Sequence, residues 1–238
     1  MSYLNGIQIA EGKTARSGLK QILKFGHNAV IGTDEETIWD QGGLYAYPTS
    51  AIVMKCSSSN TGDTSTVISV SGLDENYNEL TESITLNGQT AVNTTNSFIR
   101  VNRVFVTDTA PSGDVYVGTG TVTSGVPATK YAKIVAGENQ TEMAVWTVPS
   151  GYTGYIYKLQ ASGGSTASNK YATLKLKVKP SGGVFRTQTT MVVQQNSAEF
   201  SLDVPIIATE KSDIEIRATA SSGTEAVTAN MFIVYVKN

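Results

Sequence analysis

The tract GLDENYNELTESITLNG, residues 72–88, sets Asp74, Asn76 and Asn78 at every second position. Oxygen ligands are offered to calcium with that spacing. A helix-flanked calcium loop also needs glycine at its sixth position and a bidentate glutamate at its twelfth. Here those positions hold Glu79 and Thr85, and the flanks alternate as strands do. The spacing therefore predicts a β-hairpin tip whose Asx side chains bond their own backbone. An adventitious calcium site at Asp74–Asn78 is the competing reading.

His27 is the one histidine, so an imidazole-based zinc site or a Ser-His-Asp triad would have to use it. The sequence holds no G-x-S-x-G elbow and no Walker loop. Gly118 and Gly120 in VGTGTV lie between strand-like residues and predict a bulge or turn. Glycoside hydrolysis needs a facing pair of carboxylates. Asp203, Glu210, Asp213 and Glu215 are available, but their spacing predicts strand ends and turns. The inventory leads us to expect no enzyme, no metal and no cofactor.

Binding chemistry has more to work with. Lys175, Lys177 and Lys179 line one face of one strand and could meet an acidic partner. The preferred reading is a solvated edge strand, where lysine blocks strand addition. Tyr152, Tyr155 and Tyr157 crowd one hairpin, with Tyr155 and Tyr157 on a shared face. Tyrosine suits protein or glycan recognition, but it is also a common strand residue. The loop SGGSTASN, 162–169, is either a contact loop or slack.

The elements that must position these residues are mostly strands. The chain has 22 glycines, 11 tyrosines and only 16 % charged residues. That composition argues against disorder and for strands joined by tight turns. A net charge of −2 excludes a broad field for nucleic acid or anionic membrane. A lone cysteine, Cys56, rules out an intrachain disulfide and fits a reducing compartment. No run approaches the ~20 apolar residues of a membrane helix, and no secretory signal is evident.

Residues 1–45 read as an extended arm. Leu19–Phe25 is a short helical or extended segment. Thr33-Asp-Glu-Glu36 has the form of a capping box opening one short helix, with Ile38 and Trp39 facing inward. From Ala51 to Thr123 the alternation is β, and Asn87-Gly88 is a hairpin signal. TSGVPATK, 123–130, reads as a linker. The tract YATLKLKVKP alternates Ala172, Leu174, Leu176 and Val178 inward against Thr173 and the lysines outward. The expectation is all-β: an arm (1–45), a small Ig-like sandwich (46–125) and a jelly-roll-like sandwich (126–238).

KFGHNAVIGTDEETIWDQGGLYAYPT, GLDENYNELTESITLNGQTAVNTTNSFIRVNRVFV and AVWTVPSGYTGYI, with KPSGGVFR and TEKSDIEIRA, carry a resemblance across nearly the whole chain. They resemble virion structural proteins of tailed bacteriophages, of the marine and cyanobacterial type. The resemblance implies a non-enzymatic virion protein assembled in the bacterial cytoplasm, and it brings no catalytic residues. It implies a homo-oligomer, a trimer first, bound to the major capsid protein or another virion protein. Head decoration, cement or spike is the leading expectation, with Phe25, Ile38, Trp39 and Tyr45 of the arm as capsid anchors. A tail, neck or receptor-binding part that contacts a host glycan or protein is the alternative.

Overall fold

The structure, a computed structural model, describes residues 19–163, 169–194 and 196–238. Residues 1–18 of the expected arm and 164–168 of the expected contact loop lie outside them. The described residues form sixteen β-strands and no helix. The chain divides into two compact units: residues 1–38 with 144–238, and residues 39–143. The first is therefore split, and the second is inserted into it.

In the split unit, β1 (Leu19–Ile31) and β2 (Glu36–Thr37) precede the insertion. After it come β10 (Val145–Thr147), β11 (Tyr152–Gly163), β12 (Ala172–Lys179), β13 (Arg186–Val193), β14 (Ser197–Ala208), β15 (Asp213–Ala220) and β16 (Glu225–Lys237). One sheet runs β1-β16-β11-β14; the other runs β10-β15-β12-β13, with β2 also on β15. Every pairing is antiparallel.

β2 and β10 serve as one strand broken by the insertion. β2 pairs with Arg217 and Ala218, and β10 pairs with residues 213–215 of the same β15. Ile216 closes the join: its carbonyl accepts from Ile38 (2.9 Å), and its amide donates to Ala144 (3.1 Å). The Ala144 amide donates in turn to Ile38 (2.9 Å), where the chain leaves and returns. With β2 and β10 taken as one strand, the unit's strands nest in sequence order. One sheet is first-eighth-third-sixth, and the other is second-seventh-fourth-fifth.

Alternation drives these strands to their places. Ala172, Leu174, Leu176 and Val178 all enter one hydrophobic cluster with Ile214 and Ile216 of β15. Ile156, Leu159, Met231 and Ile233 of the other sheet join the same cluster. Each fully buried large side chain contributes on the order of 2 kcal/mol. The phase of β11 shifts once. Ile156 and Leu159 both point inward because Tyr157 is an extra residue in the register against β16. Tyr157 and Lys158 therefore both face outward.

The inserted unit holds β3 (Ile52–Ser58), β4 (Val67–Leu73), β5 (Glu79–Thr85), β6 (Val92–Phe98), β7 (Arg100–Val106), β8 (Val115–Thr123) and β9 (Val126–Ile134). Its sheets run β6-β3-β8-β9 and β5-β4-β7. The four-plus-three count is that of a small Ig domain, but the strand order is not. Lettered in chain order, the sheets are D-A-F-G and C-B-E rather than A-B-E-D and C-F-G.

Several expectations are corrected here. The helix after Thr33 does not form. Glu36 instead accepts the Gly32 amide (2.9 Å), and Glu36–Thr37 pair with β15. A single turn of helix carries a nucleation cost that a waiting strand edge does not impose. Residues 19–38 are no free arm, since β1 pairs along most of β16. The supposed linker 123–130 is the β8–β9 hairpin, turned by Ser124 (φ 48°) and Gly125 (φ 77°). A Cβ on Gly125 would meet the Ser58 carbonyl oxygen at 1.8 Å. The boundaries fall instead after Ile38 and before Ala144.

The 72–88 tract is a hairpin of β4 and β5. Asp74 Oδ1 accepts the amides of Asn76 and Asn78 (both 2.8 Å), and Asp74 Oδ2 accepts from Asn78 Nδ2 (3.2 Å). The side chains at the calcium-like spacing thus shape a turn. The bulge expected in VGTGTV is present: the β8–β9 register shifts at Val117/Gly118 and at Thr119/Val122.

Candidate functional site

Three surfaces of the split unit gather polar or exposed apolar side chains. The first is the outer face of the sheet holding β12 and β15. Lys175, Lys177 and Lys179 stand opposite Arg217, Glu215 and Asp213. Glu35 reaches this face and pairs with Lys177 (2.8 Å), Arg217 (2.9 Å) and Lys175 (3.5 Å). Asp213 pairs with Lys179 (3.1 Å) and accepts from the Thr147 hydroxyl (2.7 Å). Glu215, fully buried, takes Arg217 Nε (2.7 Å), a second guanidinium nitrogen and the Thr37 hydroxyl (2.9 Å).

This arrangement is a charge ladder rather than a docking stripe. β12 is central in its sheet, flanked by β13 and β15, so the solvated-edge reading of its lysines is corrected. Burial tends to raise the Glu35 carboxyl, but Lys177 and Arg217 hold it below the usual range. Burial pushes the Glu215 carboxyl up, against the pull of Arg217 and Thr37. Asp213 and Glu215 share a face, as a carboxylate pair must, yet both are closed from solvent and engaged by cations and hydroxyls. Asp203 is exposed on β14, and Glu210 caps a turn by accepting the Gly151 amide (2.7 Å). These four acids converge on no common point.

The expected anchors are mostly interior. Ile38 lies in the split unit's core, and Phe25 is half-buried on β1. Trp39 and Tyr45 are buried in the inserted unit, edge to face at 5.0 Å. The Trp39 indole donates to the Gly43 carbonyl (3.0 Å). Tyr45 meets Tyr47 at 4.8 Å, and the buried Arg100 guanidinium lies 5.1 Å from the Tyr47 ring. Packing inside their own units removes Ile38, Trp39 and Tyr45 from any capsid contact.

The second surface is the outer face of the sheet holding β1, β16, β11 and β14. Register lines up its rows. Phe25, Asn230, Gln160 and Glu199 form one row; His27, Thr228, Ser162 and Ser197 form the next. The other neighbouring row holds Leu23 and Phe232 with the bulged Tyr157, whose ring lies 6.2 Å from Phe232. A cleft of about 280 Å³ opens over the polar rows, with Ala161 and Ala198 also in its lining. Tyr155 also faces outward, opposite Ile207 and Val234. Tyr152 leaves the group and packs on the core beside Tyr235, 5.4 Å between rings. The sequence pattern pointed to the tyrosines; the amide row was missed because its members come from four distant strands.

The third surface is β14 itself, an edge strand. Phe200 (43 % exposed), Val204 (79 %) and Ile207 (61 %) stand in solvent along it. Residues 202–205 bulge out opposite the single residue Tyr157, between the pairs Ile156–Ile206 and Lys158–Ser201. The bulge contains Pro205, which has no amide to donate.

No protein-family model matches the chain, and no curated protein does. Among solved structures, a mitogen from Yersinia pseudotuberculosis is 16 % identical, over 37 % of this chain and 82 % of its own, with a TM-score of 0.23. A structure of the Gt strain of infectious bursal disease virus is 12 % identical, over 94 % of this chain and 74 % of its own, with a TM-score of 0.24. The PBSX exported protein XepA is 12 % identical, over 89 % and 86 %, with a TM-score of 0.21. At these TM-scores nothing about ancestry or function follows. No helix among the described residues is long and apolar enough to cross a membrane.

Proposed function

We propose that the chain is a non-enzymatic structural protein of a tailed-bacteriophage virion, seated on the head as a decoration, cement or spike subunit. The observation that carries this reading is the exposed apolar rim of β14. A run of large apolar side chains held in solvent along one edge strand is an apolar patch of the kind that marks a contact surface. The bulge and Pro205 block strand addition there, so association proceeds through side chains and remains a bounded contact rather than a growing sheet. The engagement of the carboxylates in ion pairs and turns supports a non-catalytic role.

A fold reading accompanies it. The split unit is a jelly-roll sandwich, supported by the nested first-eighth-third-sixth and second-seventh-fourth-fifth orders. The partner is the major capsid protein or a neighbouring copy in a homo-oligomer, a trimer first, assembled in the host cytoplasm. Attachment runs through β14 in place of the anchors Ile38, Trp39 and Tyr45. The second reading is a tail, neck or receptor-binding part, favoured by the polar cleft beside outward-facing aromatics.

Counting copies per purified particle by mass spectrometry separates the two. A symmetric head lattice requires on the order of hundreds, and a tail part tens or fewer. The double variant Val204→Asp/Ile207→Asp keeps its thermal midpoint and loses at least tenfold in particle occupancy. Normal occupancy of that variant overturns attachment through β14.

A further inference from the structure

We propose that the cleft on the outer face of β14, β11 and β16 is a binding site for a neutral saccharide. Its lining is built rather than incidental. Lys158 holds Glu199 by an ion pair (2.9 Å), and Glu199 accepts from Gln160 Nε2 (2.8 Å). Gln160 Oε1 in turn accepts from Asn230 Nδ2 (3.3 Å). This chain fixes which end of each amide is donor and which acceptor. The Asn230 carbonyl oxygen and the remaining Gln160 N–H are left for a ligand. Ser162, Ser197 and Thr228 line the same cleft, and their hydroxyls make no bond within the described chain.

The class of ligand follows from this inventory. A sugar presents a ring of hydroxyls, each both donor and acceptor, beside a patch of apolar C–H. Alternating amide, carboxylate and hydroxyl groups answer the first. Phe25, directly across from Asn230, and Phe232, two residues along on the same face, lie beside the lining and offer an apolar flank for the second. Glu199, the one charged residue among those lining the cleft, is neutralised by its ion pair with Lys158, so a phosphate or nucleotide meets no net positive field. At about 280 Å³ the cleft is at the small end of ligand sites, the size for one sugar ring and the start of a second. The proposal does not depend on where in a virion the chain sits.

The test uses the full chain and saturation-transfer NMR with methyl glycosides of glucose, galactose, mannose, rhamnose and N-acetylglucosamine. At least one binds saturably. Gln160→Ala and Asn230→Ala each weaken that binding at least tenfold at unchanged thermal midpoint. Thr228→Ala, whose hydroxyl makes no bond within the described chain, weakens it at least twofold and serves should either amide variant misfold. Absence of saturation transfer from every sugar at 20-fold excess overturns the site. So does sugar binding that ignores all three substitutions, or a cleft that takes up peptides and no sugar. Particle occupancy is measured separately, so failure here leaves the virion reading standing.

Discussion

Arg217→Met breaks a buried ion pair from one side, and its cost can be worked from the contacts. Glu215 is fully buried and depends on the guanidinium for two of its bonds, the Thr37 hydroxyl (2.9 Å) being the other. Methionine keeps much of the aliphatic stem and gives up the guanidinium, whose carbon lies 4.8 Å from the Phe185 ring. Glu35 retains Lys175 and Lys177, so its share of the loss is below about 1 kcal/mol. Most of the loss comes from a buried carboxylate left without its cation, about 3–5 kcal/mol. The sign of the pH dependence is set by Glu215, whose carboxyl is already pushed above its ordinary value of 4.5 by burial. Removing the cation pushes it higher. A carboxyl raised on folding favours the folded state below its unfolded value and disfavours it as pH climbs through the folded one. The variant's deficit is therefore largest near pH 8 and shrinks toward pH 5. Adding Glu215→Gln returns at least about 2 kcal/mol at pH 8, because no buried carboxylate is then left without its cation. Urea unfolding followed by Trp146 fluorescence in a Trp39→Phe background reads the split unit, since Trp146 lies in its core. A deficit under about 1 kcal/mol, equal at both pH values, would refute the reasoning.

Two other perturbations test the architecture. Asp63 accepts the Ser58 hydroxyl (2.5 Å) and the Ser112 and Gly113 amides (2.9 and 3.1 Å). Burial works against its charge, but these bonds hold the carboxyl below its ordinary 3.8. Its contribution is thus present above that value and lost as pH falls through the folded one. Asp63→Ala costs the inserted unit about 2–3 kcal/mol at pH 7 and less at pH 3; equal deficits in urea unfolding contradict this. Deleting residues 1–45 removes β1 and β2, and the split unit fails to fold, read as loss of dispersed amide resonances. A truncated chain with the parental unfolding midpoint would show those strands to be dispensable.

Local patterns were legible where period and turn chemistry acted alone. The 172–179 alternation named its inward residues, and Asp74 with its asparagines named a hairpin tip. The register shifts around Gly118 came from a glycine spacing that could be read directly. What stayed hidden depended on partners far along the chain. Thr33–Glu36 has the letters of a helix cap, yet β15 supplies a strand edge that propensity cannot see. The lysines of β12 looked solvated because Glu35, Asp213 and Glu215 are remote in sequence. The cleft escaped for the same reason, as Gln160, Glu199 and Asn230 are ordinary strand residues until register aligns them. Glycine and proline at 125 and 127 read as a linker because a tight hairpin and a domain joint share a composition.

The pairing of β1 with β16 sets an order on biosynthesis. A ribosome delivers Leu19 long before its neighbour Val236. The inserted unit, whose strands all lie between residues 52 and 134, can finish folding while its host is still incomplete. The host closes only when β16 emerges and slots between β1 and β11. A chain cut short before β16 therefore presents β1 and β11 as unpaired edges of an incomplete sheet.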